Sequence, residues 1–307
     1  MTRPTRPTPP RLRVGFYGTD GIAAGVAERL AGVGHRITAV VDPNRADLHT
    51  RFPVDDAVGT GISALGGCDL VLICVTDEEL SEAVAALVPY VSSRQMVAHL
   101  CVSAGVGALA PVAEGAALVM ALHPAVYPVA SPDAVGVLRD ADALEGAPWI
   151  VSADPGPPEG VAEVLVAELG GWPVHVPDVE RPAFAAGLQH ATEHLMSVID
   201  DACSMIDEAC ARGGGSGEGT GRSLLRRTSR RMLEVVLSDP DHAVPGPVYR
   251  ASVDTLRWQH DRGIPDGAAA RSYRDLARRT AELTPFGDID IELWADGPSD
   301  GGRETGN

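Results

Sequence analysis

The sequence predicts an α/β fold, a doubly wound parallel sheet, followed by an all-α C-terminal domain. Three observations carry this. Up to Asp178, short continuously apolar runs alternate with amphipathic stretches, the pattern of strands buried on both faces between covering helices. Beyond Asp178 no strand pattern recurs, and apolar residues fall three or four apart. The 307-residue length is enough for two domains.

Each element follows in order. Leu12–Tyr17 (LRVGFY) reads as a strand that stops at Gly18, and Asp20–Leu30 as an amphipathic helix. Ile37–Val41 (ITAVV) is a strand ending at Asp42; Leu70–Val75 (LVLICV) is another, followed by a helix over Asp77–Leu87. Met96–Val102, Ala117–Leu122, Trp149–Ser152 and Pro173–Val176 complete the strands, with a helix near Glu159–Leu169. Then Leu188, Ala191, Leu195, Val198, Ala202, Ile206 and Ala209 mark one long helix. Further helices are predicted over Ser223–Leu237, Pro247–His260 and Gly267–Leu283. RGGGSGEGTGR (212–222) reads as a flexible loop. The expected division is a disordered lead (1–11), an α/β domain (12–178), a helical domain (179–290) and a disordered tail (291–307). The site is expected in the cleft between the two domains.

Composition narrows the function classes. Hydrophobic residues make up 45% of the chain, which fits a globular protein, and no apolar run approaches the ~20 residues that span a bilayer. The N-terminal MTRPTRPTPPR has no apolar signal core. The five cysteines (68, 74, 101, 203 and 210) are odd in number and form no C-x-x-C, so neither a disulfide framework nor a thiolate zinc site is suggested. A cytoplasmic location is expected. A net charge of -17 disfavours nucleic acid and anionic membranes, leaving a small-molecule substrate. There is no lysine, which removes Schiff-base chemistry, a P-loop lysine and a lysine general acid. GGGSGEGTGRS therefore only imitates a P-loop, and RRTSRR (226–231) reads as a solvated helix face.

Gly18-Thr19-Asp20-Gly21-Ile22-Ala23 stands where a G-x-G-x-x-G/A dinucleotide turn belongs, between the first strand and its helix. Gly18 and Ala23 fit the first and third positions. Asp20 occupies the second, where a carboxylate would oppose a pyrophosphate. Either the turn shifts by one residue, so that Gly21 serves and Asp20 caps the helix, or dinucleotide binding is weakened. Asp42, ending the second strand, can hold a ribose diol and repel a 2′-phosphate, which favours NAD over NADP. Its other reading is a simple Asp42-Pro43-Asn44 turn.

Residues 190–194 read HATEH and match H-x-x-E-H. His190 and His194 lie one helical turn apart, so both could reach one ion, with Asp201 or His123 as a further ligand and Glu193 as base. The same residues also suit an exposed polar flank without chemistry.

The ordered set GFYGTDGIAAGVAERL, CDLVLICVTDEEL, AHLCVSAGVGALAPVAEGAALVMALHP, ERPAFAAGLQHATEHLMSVIDDA and VPGPVYRASVDTLRWQH resembles a Rossmann-like family related to pyrroline-5-carboxylate reductase and 6-phosphogluconate dehydrogenase. The best match is the branch whose C-terminal helical domain has no known function, over roughly residues 12–285. The resemblance implies NAD(P)-dependent reduction or oxidation of C=O or C=N bonds and a homodimer formed through the helical domain. The family turn is usually G-x-G-x-x-G, from which Asp20 departs. Many relatives carry a catalytic lysine on the first long helix of the second domain; here His190, Glu193 and His194 occupy that neighbourhood. One of the histidines would replace the lysine as proton donor or substrate anchor. Leu122-His123-Pro124 also matches the branch, at the carboxyl edge of the sheet. His99 is family-like and reads as buried structure. Tyr249, Arg250, Arg257 and Trp258 fall in a substrate-side segment, where either arginine could hold a carboxylate.

The expectation is an NAD(P)-dependent oxidoreductase acting on a small carboxylated substrate. Gly18, Thr19, Asp20, Gly21, Ile22, Asp42, Val75 and Thr76 would hold the cofactor, and His190, His194, Glu193 and His123 would supply the chemistry. No metal is assigned. The rivals are a degenerate Rossmann protein acting as a non-redox binding or scaffold subunit, and a metal-dependent lyase or hydrolase built on the HATEH helix.

Overall fold

The computed structural model of the chain describes residues 11–19, 21–44, 52, 60–116, 118–126, 141–215, 217–238, 252–264 and 267–282. Strand β3 (Leu70–Ile73) has four consecutive apolar residues, all buried. Alternation along a strand sends them to opposite faces. Leu70 and Leu72 join one apolar layer with Phe16 and Trp149, and Val71 and Ile73 join the other with Val84 and Leu109. That is why the run carries no polar alternation: both sides of the sheet are core.

Around β3 lie β1 (Arg13–Tyr17), β2 (Arg36–Val41), β4 (Met96–His99), β5 (Leu118–Pro124), β6 (Pro148–Ala153) and β7 (Trp172–His175), in the order β2-β1-β3-β4-β5-β6-β7. Helices α1 (Ala23–Gly32) and α4 (Pro157–Glu168) cover one face; α2 (Leu80–Leu87) and α3 (Ala110–Ala113) cover the other. The doubly wound architecture is as expected, with one correction. The expected all-parallel sheet is only mostly parallel, because β6 runs antiparallel to β5, pairing Pro124 with Trp149 and Met120 with Ala153. An antiparallel neighbour needs no helical crossover. Its apolar pattern is the same as a parallel strand's, so the sequence does not reveal its direction.

The chain divides into two compact units, Met1–His190 and Ala191–Asn307. α5 (Arg181–Gln189), a π-helical turn (His190–His194) and α6 (Leu195–Arg212) follow one another directly. The expected single long helix is therefore interrupted by a widened turn, which accommodates an extra residue. In the second unit, α7 (Thr220–Ser238) pairs with α6. α8 (Val253–Gly263) and α9 (Ala268–Glu282) bury Leu256 beside Ala277 and Ala281.

In the stretch expected as a flexible glycine-rich loop, the described residues leading into α7 bond back to α6. Asp207 of α6 accepts the amides of Gly219 (3.2 Å) and Gly221 (2.6 Å), so its carboxylate caps α7 from across the turn. A Cβ on Gly221 would lie 2.5 Å from the Cys203 carbonyl oxygen, so the glycine permits the close approach of α7 to α6. The expected disordered tail lies outside the described residues, as does the expected lead except Arg11. Among the described residues no helix is long and apolar enough to cross a membrane.

Candidate active site

The carboxyl ends of β1, β2 and β3 lie side by side, so Gly18, Asp42 and Cys74 emerge together at one edge of the sheet. Gly18 has φ +81°, and a Cβ there would lie 2.3 Å from the Cys74 carbonyl oxygen. Only glycine fits both constraints. Its amide donates to the Val41 carbonyl at 2.8 Å, tying the turn to β2. Thr19 is buried, and its hydroxyl donates to Asp42 Oδ2 at 2.5 Å; Asp42 Oδ1 accepts the Asn44 amide at 2.8 Å. Asp42 is thus both a turn former and an anchored carboxylate.

A cavity of about 240 Å³ opens on these residues, walled also by Val75, Glu79 and Glu82. Glu79 accepts from Asn44 Nδ2 (3.2 Å) and the Thr76 amide (3.3 Å). Among the described lining residues three are acidic and none is basic. The field shows on Tyr17. Burial first, then Glu82, Asp42 and Glu79, raise its phenol above the ordinary value.

A second cavity, about 340 Å³, shares Cys74 and Val75 with the first. Gly21, Ile22, Thr76, Asp77, Leu100, Cys101 and His123 contribute to its wall. Gly21 has φ +61°, and a Cβ there would meet open space. α1 begins just beyond it, with Ile22 as an N-cap that offers no side-chain bond. A helix N-terminus favours an anion. Asp20 lies outside the described residues.

Two histidines serve this edge differently. His99 is fully buried; its Nε2–H donates to the Gly105 carbonyl (3.0 Å) and its Nδ1 accepts the Cys101 amide (3.2 Å). Burial lowers its pKa to about 4, so it is a neutral structural group, as expected. His123 donates Nδ1–H to the Leu100 carbonyl at 2.8 Å. That bond selects the tautomer whose Nε2 carries the lone pair. Burial, assisted by Arg181, lowers its pKa, so the ring is a neutral acceptor. The Cys101 thiol donates weakly to the Val75 carbonyl (3.4 Å), and burial raises its pKa far enough to keep it protonated and inert.

The structure therefore gathers Gly18, Thr19, Asp42 and Val75 at the first cavity, and Gly21, Ile22, Val75, Thr76 and His123 at the second. His190, Glu193 and His194 are exposed side chains on the π-helical turn. Among the described residues no group of three or more His, Cys, Asp or Glu side chains is placed to hold a metal ion. Tyr249 and Arg250 lie outside the described residues, only the backbone of Arg257 is described, and Trp258 is exposed on α8.

Sequence reasoning missed Arg181, the first residue of α5, whose side chain is wholly buried behind this edge. A lone arginine at a helix start looks like a surface charge. No local pattern marks it as internal.

A model of a Rossmann-like domain matches residues 1–124, and one of a domain of unknown function, DUF2520, matches residues 147–280. The chain is a Rossmann-like domain followed by a DUF2520 domain. No curated protein matches the sequence. Solved structures do. A candidate NADP oxidoreductase of Bacteroides fragilis aligns at TM-score 0.66 and 14% identity, over 89% of this chain and 98% of the other. Pyrroline carboxylate reductase of Plasmodium falciparum with NADP bound aligns at 0.53 and 13%, over 92% and 95%. Reductive aminase of Aspergillus terreus, in complex with NADPH and ethyl-5-oxohexanoate, aligns at 0.60 and 15%, over 92% and 98%. At these identities the likeness is one of fold.

Proposed function

We propose that this Rossmann–DUF2520 chain is an NAD-dependent oxidoreductase acting on a C=O or C=N bond of a small substrate. The observation that carries the reading is the pair of cavities sharing Cys74 and Val75 along the carboxyl edge, one ending at Asp42 and the other at His123. Ligands of open α/β sheets bind at this edge. The solved relatives with NADP or NADPH bound share the fold.

The residues present fit a dinucleotide. Gly18 and Gly21 let the backbone approach a pyrophosphate, and the N-terminus of α1 suits its charge. Asp42, pre-oriented by Thr19, accepts ribose hydroxyls. Asp42, Glu79 and Glu82 together repel a 2′-phosphate, which sets the preference for NAD. Bound nicotinamide supplies or takes a hydride. His123 handles the proton: its Nε2 accepts from a substrate hydroxyl or ammonium in the oxidative direction and returns the proton in the reductive one. The Cys101 thiol, kept protonated by burial, walls the second cavity without competing as a nucleophile.

The reading includes a homodimer through the helical unit, supported by Leu224, Met232 and Leu237, which α7 leaves exposed. Light scattering on the purified protein tests it.

The primary test is calorimetric titration with NADH and NADPH, followed by turnover on a panel of small carbonyls and imines, with and without a carboxylate. Micromolar NADH binding, weaker NADPH binding and a roughly 100-fold or larger loss of turnover in His123→Asn are expected. No binding of either nucleotide sinks the proposal. Turnover kept in His123→Asn but lost in His190→Ala or His194→Ala moves the proton chemistry to the π-helical turn.

A further inference from the structure

Arg181 is unusual in where its charge rests. Its guanidinium is wholly buried, yet among the described residues it bonds to no carboxylate. Nε donates to the Val102 carbonyl (3.3 Å) and Nη2 to the Cys101 carbonyl (3.4 Å). Nη1 donates to the Ala121 carbonyl (3.4 Å) and to Ser152 Oγ (3.2 Å). The Ser152 hydroxyl passes its own proton to the Val176 carbonyl at 2.5 Å. One planar cation thus joins α5 to β5, β6 and the segment leaving β4. A cation buried on neutral acceptors is costly, and a hydrophobic side chain would pack the same space at lower cost.

Asp178 and Asp77 favour the charge from a distance, while their oxygens bond to the same segment. Asp77 Oδ2 accepts the Ser103 amide (3.2 Å), and Asp178 accepts the amides of Val106 (2.9 Å) and Gly107 (2.8 Å). The loop after β4 is therefore gripped by charge on both kinds of backbone group: its carbonyls by Arg181, its amides by Asp77 and Asp178. The loop starts at Leu100, whose carbonyl fixes the His123 tautomer.

We infer that Arg181 is a positioning residue: by holding the loop after β4 it keeps the Leu100 carbonyl on His123 Nδ1. This rests on the proton-handling role proposed for His123. Among the described residues, the charged and titratable groups around His123 are Arg181 from α5, Asp77 and Glu78 between β3 and α2, and the Cys74 and Cys101 thiols. Burial first, and Arg181 after it, disfavour the imidazolium; the Leu100 carbonyl and Asp77 favour it, so Arg181 acts on the ring both through the carbonyl it holds in place and through its charge.

The test needs no substrate. Full-length protein labelled with ¹⁵N-histidine reports tautomer and titration midpoint for each ring by long-range ¹⁵N–¹H correlation, and His123→Gln assigns the signal. In the native protein His123 should be the Nδ1–H form, titrating below an ordinary histidine. In Arg181→Met the two tautomers should mix as the Leu100 carbonyl is released, and the midpoint should move from its native value. Arg181→Lys keeps the charge without the fork, so it should hold the low midpoint while the tautomers mix. A cooperatively unfolding Arg181→Met with unchanged tautomer and midpoint overturns the inference. Should that variant not fold, an Arg181→Lys ring still purely Nδ1–H does the same. NADH titration of the native sample is independent of both: failure to bind removes the oxidoreductase reading and leaves the Arg181–His123 coupling to be judged on the spectra.

Discussion

The carboxyl edge of the sheet and the π-helical turn both present histidine pairs, in opposite settings. His99 and His123 sit in a segment with no recognised metal or hydrolase signature, yet each has a ring nitrogen bonded to a backbone carbonyl and a pKa moved by burial. His190 and His194 sit in a string that matches a metalloprotease signature, on exposed positions. Spacing says which side chains could meet. Burial against a backbone carbonyl is what selects the tautomer of His123.

The comparison can be broken most forcefully at the edge itself. Gly18→Val forces a branched residue to φ +81° and drives its Cβ against the Cys74 carbonyl. It should lose about 3 kcal/mol or more of stability and abolish NADH binding, read by thermal unfolding and calorimetry. His190→Ala should leave unfolding unchanged.

Next in size is acid. His99 titrates at about 4 in the fold against 6.5 ordinarily, so the folded state favours its neutral form. Its contribution is complete above pH 6.5 and is lost as pH falls toward 4. The difference of 2.5 units corresponds to about 3 kcal/mol. Urea unfolding between pH 7 and 4 should show this slope, flattened in His99→Gln even though that variant is weaker at neutral pH.

Smaller effects sharpen the contrast. Asp207→Ala removes the cap on α7 and should cost about 1–2 kcal/mol. Amide exchange should show the loss concentrated in residues 217–225. Asp42→Ala should weaken NADH about 10-fold while raising the NADPH-to-NADH affinity ratio, the value of one charged hydrogen bond. Arg222→Ala, which breaks an exposed 3.1 Å pair with Asp200, should change nothing measurable.

Fold and site differ in how far they could be read from the letters. The strands were legible because a parallel sheet covered on both faces demands unbroken apolar runs such as LVLI. The reversal of β6 was not, since direction leaves no trace in such a run. Gly18 and Asp42 were legible because a turn after a first strand has fixed chemical needs. Thr19 as the partner that orients Asp42 emerged only with the 2.5 Å bond between them. RGGGSGEGTGR did not disclose the cap on α7, because glycine serves flexible and close-packed turns alike and the capping carboxylate, Asp207, lies twelve residues before Gly219. Arg181 was invisible because its acceptors are mostly backbone carbonyls, which have no letter.

The reversal of β6 also separates two kinds of change. Because Trp149 pairs with Pro124, the connection between β5 and β6 leaves and re-enters the sheet at the edge that carries His123. Gly18, Thr19 and Asp42 follow strands on the other side of β3. The two sides of β3 therefore draw on different stretches of chain, and sequence change on one side need not be matched on the other.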